Sequence, residues 1–270
     1  YELADPIAER DLVAAARRGV TVRVILDGGS FARAKNAGAF AYLRAHGVHV
    51  RWSPRYFRFT HQKTMTVDRR RSLIMTLNLT ARYYATTRDF AFSDARSADV
   101  GATESVFGAD WAGRPIVASK GSGDLLWSPG AEGALVSLID GAHASLEVEN
   151  EEMADQPVLD ALCRAARRGV RVRVVMTYAS DWVAAFARLA QCGASVHAFH
   201  GETPLYIHAK EIVADGVEAF LGSQNFSYTS LERNRELGVI TTSGPVLSSL
   251  QATFDGDYRR APAVGRRAPP

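Results

Sequence analysis

Two distant stretches share one pattern of apolar and polar positions. In "AARRGVTVRVIL" (15–26) and "AARRGVRVRVVM" (165–176), alanines and arginines at helical spacing end at a glycine, and an apolar run follows. The pattern predicts the end of an amphipathic helix, a glycine C-cap at Gly19 or Gly169, and a strand. The stretches lie 150 residues apart, and the match reaches back to "YELADP" (1–6) and "EEMADQ" (151–156).

The correspondence continues downstream at an offset of 147. "HQKTMTVD" (61–68) matches "HAKEIVAD" (208–215), "TLNLT" (76–80) matches "SQNFS" (223–227), and "TRDF" (87–90) matches "NREL" (234–237). "VFGADW" (106–111) echoes "TFDGDY" (253–258). A shared register of this length means two copies of one α/β unit. The expected organisation is a first repeat over 1–115, a Gly/Ser/Pro-rich linker over 116–130, a second repeat over 131–262 and a disordered tail over 263–270. The second copy alone is preceded by a helix-like "GALVSLIDGA" and a strand-like "HASLEVEN". The first sheet is therefore expected to lack one strand, as if roughly 25 residues were missing at its start.

In "LYIHAKEIVADGVEAFLGSQN", two β-rich runs flank Asp215-Gly216. Asp-Gly between such runs signals a hairpin with a two-residue loop. That register sets His208 opposite Ser223 and Lys210 opposite Leu221, with Asn225 one step beyond. Alternation puts His208 and Lys210 on one face. In the first copy Arg69 stands where Gly216 does. Arginine is poor where φ must be positive, so that loop is expected to be longer or of another type.

Composition sharpens this picture. The chain has 270 residues, 47% of them hydrophobic, and no apolar run long enough to span a membrane. Its net charge of +3 permits an anionic partner without demanding one. Among 32 basic residues only Lys35, Lys63, Lys120 and Lys210 are lysines. Two of the four stand in the repeated motif, in a chain that otherwise uses arginine. Cys163 and Cys192 fit no metal-binding spacing and read as small core residues. No signal peptide is visible, and the compartment stays open.

Two histidines can divide acid, base and nucleophile near neutral pH. Lysine and asparagine offer donors to an anion, and no carboxylate cluster for Mg²⁺ or Ca²⁺ accompanies them. The set reads as a metal-free cradle for a phosphate, with no cofactor.

HxKxxxxD followed by a GSxN-like segment, present twice, resembles the phospholipase D superfamily. "HAKEIVAD…GSQN" fits in full; "HQKTMTVD…MTLN" has Met75 for the glycine and Thr76 for the serine. The resemblance implies two similar α/β units, each a mixed sheet flanked by helices, packed as a pseudo-twofold pair with the active site between them. It implies catalysis through a phosphohistidine, with His61 as nucleophile and His208 as acid and base. Lys63, Lys210, Asn78 and Asn225 would hold the phosphate. Asp89 and Glu236 match an acidic position that orients the histidines, Thr76 and Ser223 would support the site, and Asp68 and Asp215 are better read as structural.

The superfamily's chemistry leaves the substrate open. A phospholipid is favoured over nucleic acid, because the chain has no dense basic stripe. "RWSPRYFRFT" (51–60) reads equally as snorkelling arginines or as a rim touching a lipid surface or bases. The alternatives are a nuclease of the same mechanism and a non-catalytic phosphate-binding scaffold. With both motifs in one chain, a monomer would suffice.

Overall fold

The computed structural model describes residues 1–201 and 204–264. The first half runs β1 (Leu3–Ala4), α1 (Pro6–Arg17), β2 (Arg23–Leu26), α2 (Ser30–Ala45), β3 (His49–Trp52), β4 (Thr64–Val67), β5 (Arg71–Met75), β6 (Leu79–Thr80), β7 (Thr87–Arg88), β8 (Ala91–Asp94) and α3 (Ser97–Ala112). The second runs β9 (Leu125–Ser128), α4 (Glu132–Gly141), β10 (Ser145–Asn150), α5 (Gln156–Arg167), β11 (Arg171–Thr177), α6 (Val183–Cys192), β12 (Ser195–Phe199), β13 (Tyr206–Ile207), β14 (Lys210–Ala214), β15 (Glu218–Gly222), α7 (Tyr228–Glu232), β16 (Glu236–Thr241) and α8 (Gly244–Arg260).

The repeated helix–glycine–strand pattern folds the same way twice. Asp5 caps α1 by accepting from Ile7 N, and Asp155 caps α5 by accepting from Val158 N. Each satisfies an N–H that the first helical turn leaves free. Gly19 and Gly169 follow with φ of 90° and 92°, which turns the chain into β2 or β11.

The second half builds one seven-stranded mixed sheet, ordered β12-β11-β10-β14-β15-β16-β9. The first half has the corresponding strands in two pieces, β2-β3 and β4-β5-β8. The break falls where β10 stands in the second half, between the counterparts of β11 and β14. Among the described residues the first half has no strand at that place, the third of the seven in the second half. The presumed linker needs correction. Its segment 125–128 is edge strand β9, paired antiparallel with β16, because Leu125, Leu126 and Trp127 are all buried. The presumed tail also needs correction at its start. Ala198 N donates to Pro262 O and Val264 N to Val196 O, extending pairing along β12, while residues 265–270 lie outside the described residues.

The second hairpin corrects the expected register by one residue. Ala214 pairs with Glu218 and Val67 with Arg71, so each loop has three residues. Asp215 and Gly216 have φ of 54° and 69°; Asp68 and Arg69 have 52° and 55°. The two turns are therefore alike, and Arg69 accepts the left-handed conformation instead of forcing another loop. Met75 also fits. It keeps the ladder through Met75 N to Lys63 O at 2.9 Å, whereas a Cβ at Gly222 would meet Gly238 Cα at 2.5 Å.

One apolar cluster packs β10–β12 and β14 against α4–α6. Another crosses between the halves, joining Ile74, Ala102 and Val106 to Trp127, Leu221, Leu237 and Leu250. Cys163 and Cys192 are buried as expected, but they are not separate thiols. A disulfide joins α5 to α6, with Cα atoms 5.2 Å apart.

Candidate active site

The backbone of each half holds the histidine of the other. His61 N and Gln62 N both donate to Arg235 O at 2.9 Å. His208 N donates to Arg88 O at 3.1 Å, where β13 pairs in parallel with β7. The next residue along each supporting strand is the acid. His61 Nδ1 donates to the Glu236 carboxylate at 2.9 and 3.0 Å, and His208 Nδ1 donates to Asp89 at 2.7 Å. The carboxylates are thus exchanged between halves: each histidine is oriented by the acid of the opposite repeat. With Nδ1 occupied, Nε2 of each ring is the free nitrogen.

Each acid is braced from its own half. Thr76 Oγ1 donates to Asp89 at 2.7 Å and accepts from Phe90 N. At the equivalent place, Ser223 Oγ accepts from Leu237 N at 3.1 Å. Ser230 Oγ and Asn234 Nδ2 also donate to Glu236, at 2.8 and 3.0 Å. Burial alone would raise both carboxyls; the histidines and these donors outweigh it and hold them below the usual range. Burial pushes His61 down to about 4, with Lys63 and Lys210 adding to the effect, so its imidazole is neutral at pH 7.

Each lysine reaches the backbone carbonyl of its own motif's histidine. Lys63 Nζ donates to His61 O at 2.6 Å and Lys210 Nζ to His208 O at 2.5 Å. Both are buried, and burial lowers Lys63 to about 7. Asn225 Nδ2 donates to Glu152 at 3.0 Å, while Asn78 Oδ1 accepts from Glu2 N at 3.3 Å. A cleft of about 320 Å³ opens on His61 and is lined by Tyr1, Phe59, Glu152, Asn225, Ser227 and Asn234 among others.

Asp68 and Asp215 stand apart, at the turns of their hairpins. Asp215 accepts from His143, Ala144 and Ser145 N at 2.7–2.9 Å, an anchor for the start of β10. Arg88 and Arg235 do not pair with the neighbouring acids. Arg88 binds Asp257, and Arg235 binds Asp110 at 3.0 and 3.1 Å, so both ion pairs also cross between halves. The repeat offset already aligned these arginines and aspartates, and that was their signal. Arginines of 51–60 lie over aromatic rings, Arg51 over Trp111 and Arg58 over Phe59. Among the described residues, no group of three or more His, Cys, Asp or Glu is arranged to hold a metal ion, and no helix is long and apolar enough to cross a membrane.

Sequence reasoning missed Ser230, Asn234, Tyr206 and Glu151. Glu151 Oε2 lies 2.9 Å from Lys210 Nζ and 3.5 Å from His208 Nε2, and Oε1 accepts from Tyr206 OH at 2.9 Å. Its only signal was a departure from the repeat, since the matching residue is Tyr1.

Known proteins resemble this chain. Residues 1–111 and 135–258 match the family described as cardiolipin synthase, PLD-like domain. Cardiolipin synthase A of Klebsiella pneumoniae subsp. pneumoniae is 27% identical over 305 residues, covering 95% of this chain and 61% of that protein. The 5'-3' exonuclease PLD3 of Rattus norvegicus is 31% identical over 130 residues, 42% of this chain and 27% of that protein. The chain thus spans 27% to 61% of the length of these relatives. Polyphosphate kinase from Porphyromonas gingivalis shares the fold, with a TM-score of 0.71 at 16% identity over 96% of this chain and 42% of that one. With the family match spanning both repeats, the chain belongs to the phospholipase D-like family of phosphodiesterases that includes the cardiolipin synthases.

Proposed function

We propose that the chain cleaves a phosphodiester through a phosphohistidine and that its substrate is a phospholipid whose phosphatidyl group is hydrolysed or transferred. His61 Nε2 attacks phosphorus, an N–P bond forms and the P–O bond to the leaving group breaks. His208 Nε2–H gives its proton to the departing oxygen. His208 then takes a proton from water or an alcohol, whose oxygen attacks phosphorus and breaks the N–P bond. Lys63, Lys210, Asn78 and Asn225 hold the phosphate oxygens, so positive charge comes from side chains and no metal is required. The observation that carries the reading is the exchanged pair of carboxylates, which engages both Nδ1 atoms and leaves Nε2 of each ring for chemistry, with a buried lysine in each motif.

Three observations support a lipid. Cardiolipin synthase A aligns with almost the whole chain. The net charge is only +3. An apolar cleft of about 450 Å³, lined by Tyr56, Phe57, Ile116, Leu125 and Trp127, reaches Arg235 beside Glu236 and offers room for acyl chains. Exposed Tyr83, Tyr84, Tyr206 and Tyr228 favour a second reading, a nuclease whose substrate bases stack on these rings. Purified protein should release headgroup from phosphatidylcholine or phosphatidylglycerol vesicles, with EDTA present, and His61→Ala or His208→Ala should abolish it. Cleavage of single-stranded DNA without headgroup release would establish the nuclease. Turnover of neither would point to a scaffold.

A further inference from the structure

The two halves match at their histidines, lysines and orienting acids, and they stop matching at position 151. The aligned residue Tyr1 sets its ring edge-on to His61, with centroids 4.6 Å apart, and lies 5.2 Å from Lys63 Nζ. Glu151 instead presents a carboxylate to His208 and Lys210. Asp89 already occupies His208 Nδ1, so Glu151 Oε2 faces the nitrogen that must react. An anionic oxygen between an ammonium and that nitrogen stands where a phosphate oxygen would bind. The side chain of Asn150 fixes the arm that carries it: its Oδ1 accepts from Glu152 N and Phe226 N, both at 3.1 Å. The carboxylate itself is held by side chains alone. Its partner besides Lys210 and His208 is the hydroxyl of Tyr206, a residue 41% exposed.

We propose that Glu151 is an internal anion that fills the phosphate subsite of His208 and Lys210 and that an incoming phosphodiester must displace. The inference rests on the reading of that pair as half of a phosphate site. It makes recognition one-sided, because among the described residues no carboxylate lies within ion-pair distance of Lys63 Nζ or His61 Nε2. A free oxyanion gains too little to expel Glu151. A diester gains more, since its two substituents find contacts beyond the phosphate. The same carboxylate can return once a cleaved product begins to leave, hastening release.

Inorganic tungstate, a phosphate analogue, tests this by calorimetry at pH 7 on the whole chain. Glu151→Gln keeps the shape and removes the charge, so it should bind tungstate at least tenfold more tightly than the parent. Its KM for a diester should fall by a greater factor than its kcat changes. Tyr206→Phe leaves the carboxylate in place and frees one oxygen, so it should tighten tungstate binding in the same direction by a smaller factor. It also serves if the first variant does not fold. Equal or weaker binding by the variants, with the parent binding tungstate, overturns the proposal alone. No tungstate binding by parent or variants, and no inhibition of turnover, overturns the phosphate site itself and the proposal with it.

Discussion

Replacing Glu236 by glutamine probes the exchange of carboxylates between halves. The substitution keeps an oxygen for Ser230 and Asn234, both of which donate to Oε1, and puts an uncharged amide where Oε2 stood. His61 then loses the anion that balances the charge its ring acquires as the N–P bond forms. A hydrogen bond to a charged group contributes about 1.5–3 kcal/mol against about 1 for a neutral one. The Coulomb attraction across about 4 Å at an effective dielectric of 20 is about 4 kcal/mol. A loss of about 2–4 kcal/mol follows, or a fall of roughly 30- to 1,000-fold in rate. The assay is release of p-nitrophenolate from bis(p-nitrophenyl) phosphate in the first turnover. This leaving group needs no proton, so the step reports His61 and spares His208. Asp89→Asn, which disturbs His208, should leave that first release within about tenfold of the parent and slow cleavage of an alkyl ester much more. If Asp89→Asn removes the first release and Glu236→Gln leaves it, His208 is the nucleophile and the assignment of His61 fails.

Four further outcomes follow from the same geometry. Because burial holds His61 at about 4, the acid limb of the first-turnover rate should lie near pH 4; a limb near 6.5 would contradict a neutral, buried nucleophile. Lys63 is lowered from 10.5 to about 7, so the unfolded chain binds the extra proton between those values and the full cost is present below about pH 7. That gap corresponds to about 5 kcal/mol, so Lys63→Met should abolish turnover yet raise the urea midpoint at pH 6, with the gain fading towards pH 10. Arg69→Gly should stabilise the protein by about 1 kcal/mol, since glycine accepts the left-handed turn without the Cβ clash; an unchanged melting temperature would mean the turn relaxes. The Cys163–Cys192 bond spans 29 residues, a loop whose closure is worth about 3.6 kcal/mol, or roughly 7–14 °C in Tm. Thermal melts with and without reductant check it, and coincident curves would show that the bond contributes nothing.

Much of the fold was legible because it is written twice. The repeat located both helix–glycine–strand units, both hairpins and the strand β10 that has no match in the first copy. The register of the hairpins was not legible to within one residue. Asp-Gly fits a two-residue loop as well as the first two positions of the three-residue loop that forms. The exchange of acids was hidden for a different reason. Sequence matching sets Asp89 beside His61 and Glu236 beside His208, whereas docking the halves carries β7 to β13 and Arg235 to Thr60, so each acid faces the opposite motif. Nothing in the spacing of Cys163 and Cys192 marks a bond, because their proximity arises from the packing of α5 on α6. Glu151 was legible only as a mismatch with Tyr1, and a mismatch carries no chemistry until the lysine beside it is seen.

The crossed ion pairs give catalysis a mechanical condition. Arg88–Asp257 and Arg235–Asp110 clasp the halves from both sides, one residue away from the carboxylates that hold the imidazoles. A hinge opening that parts the halves would withdraw both carboxylates at once, while the sheet and helices of either half stay intact. Turnover is thereby an all-or-none gauge of docking, and heat should silence the protein below the temperature at which its secondary structure melts.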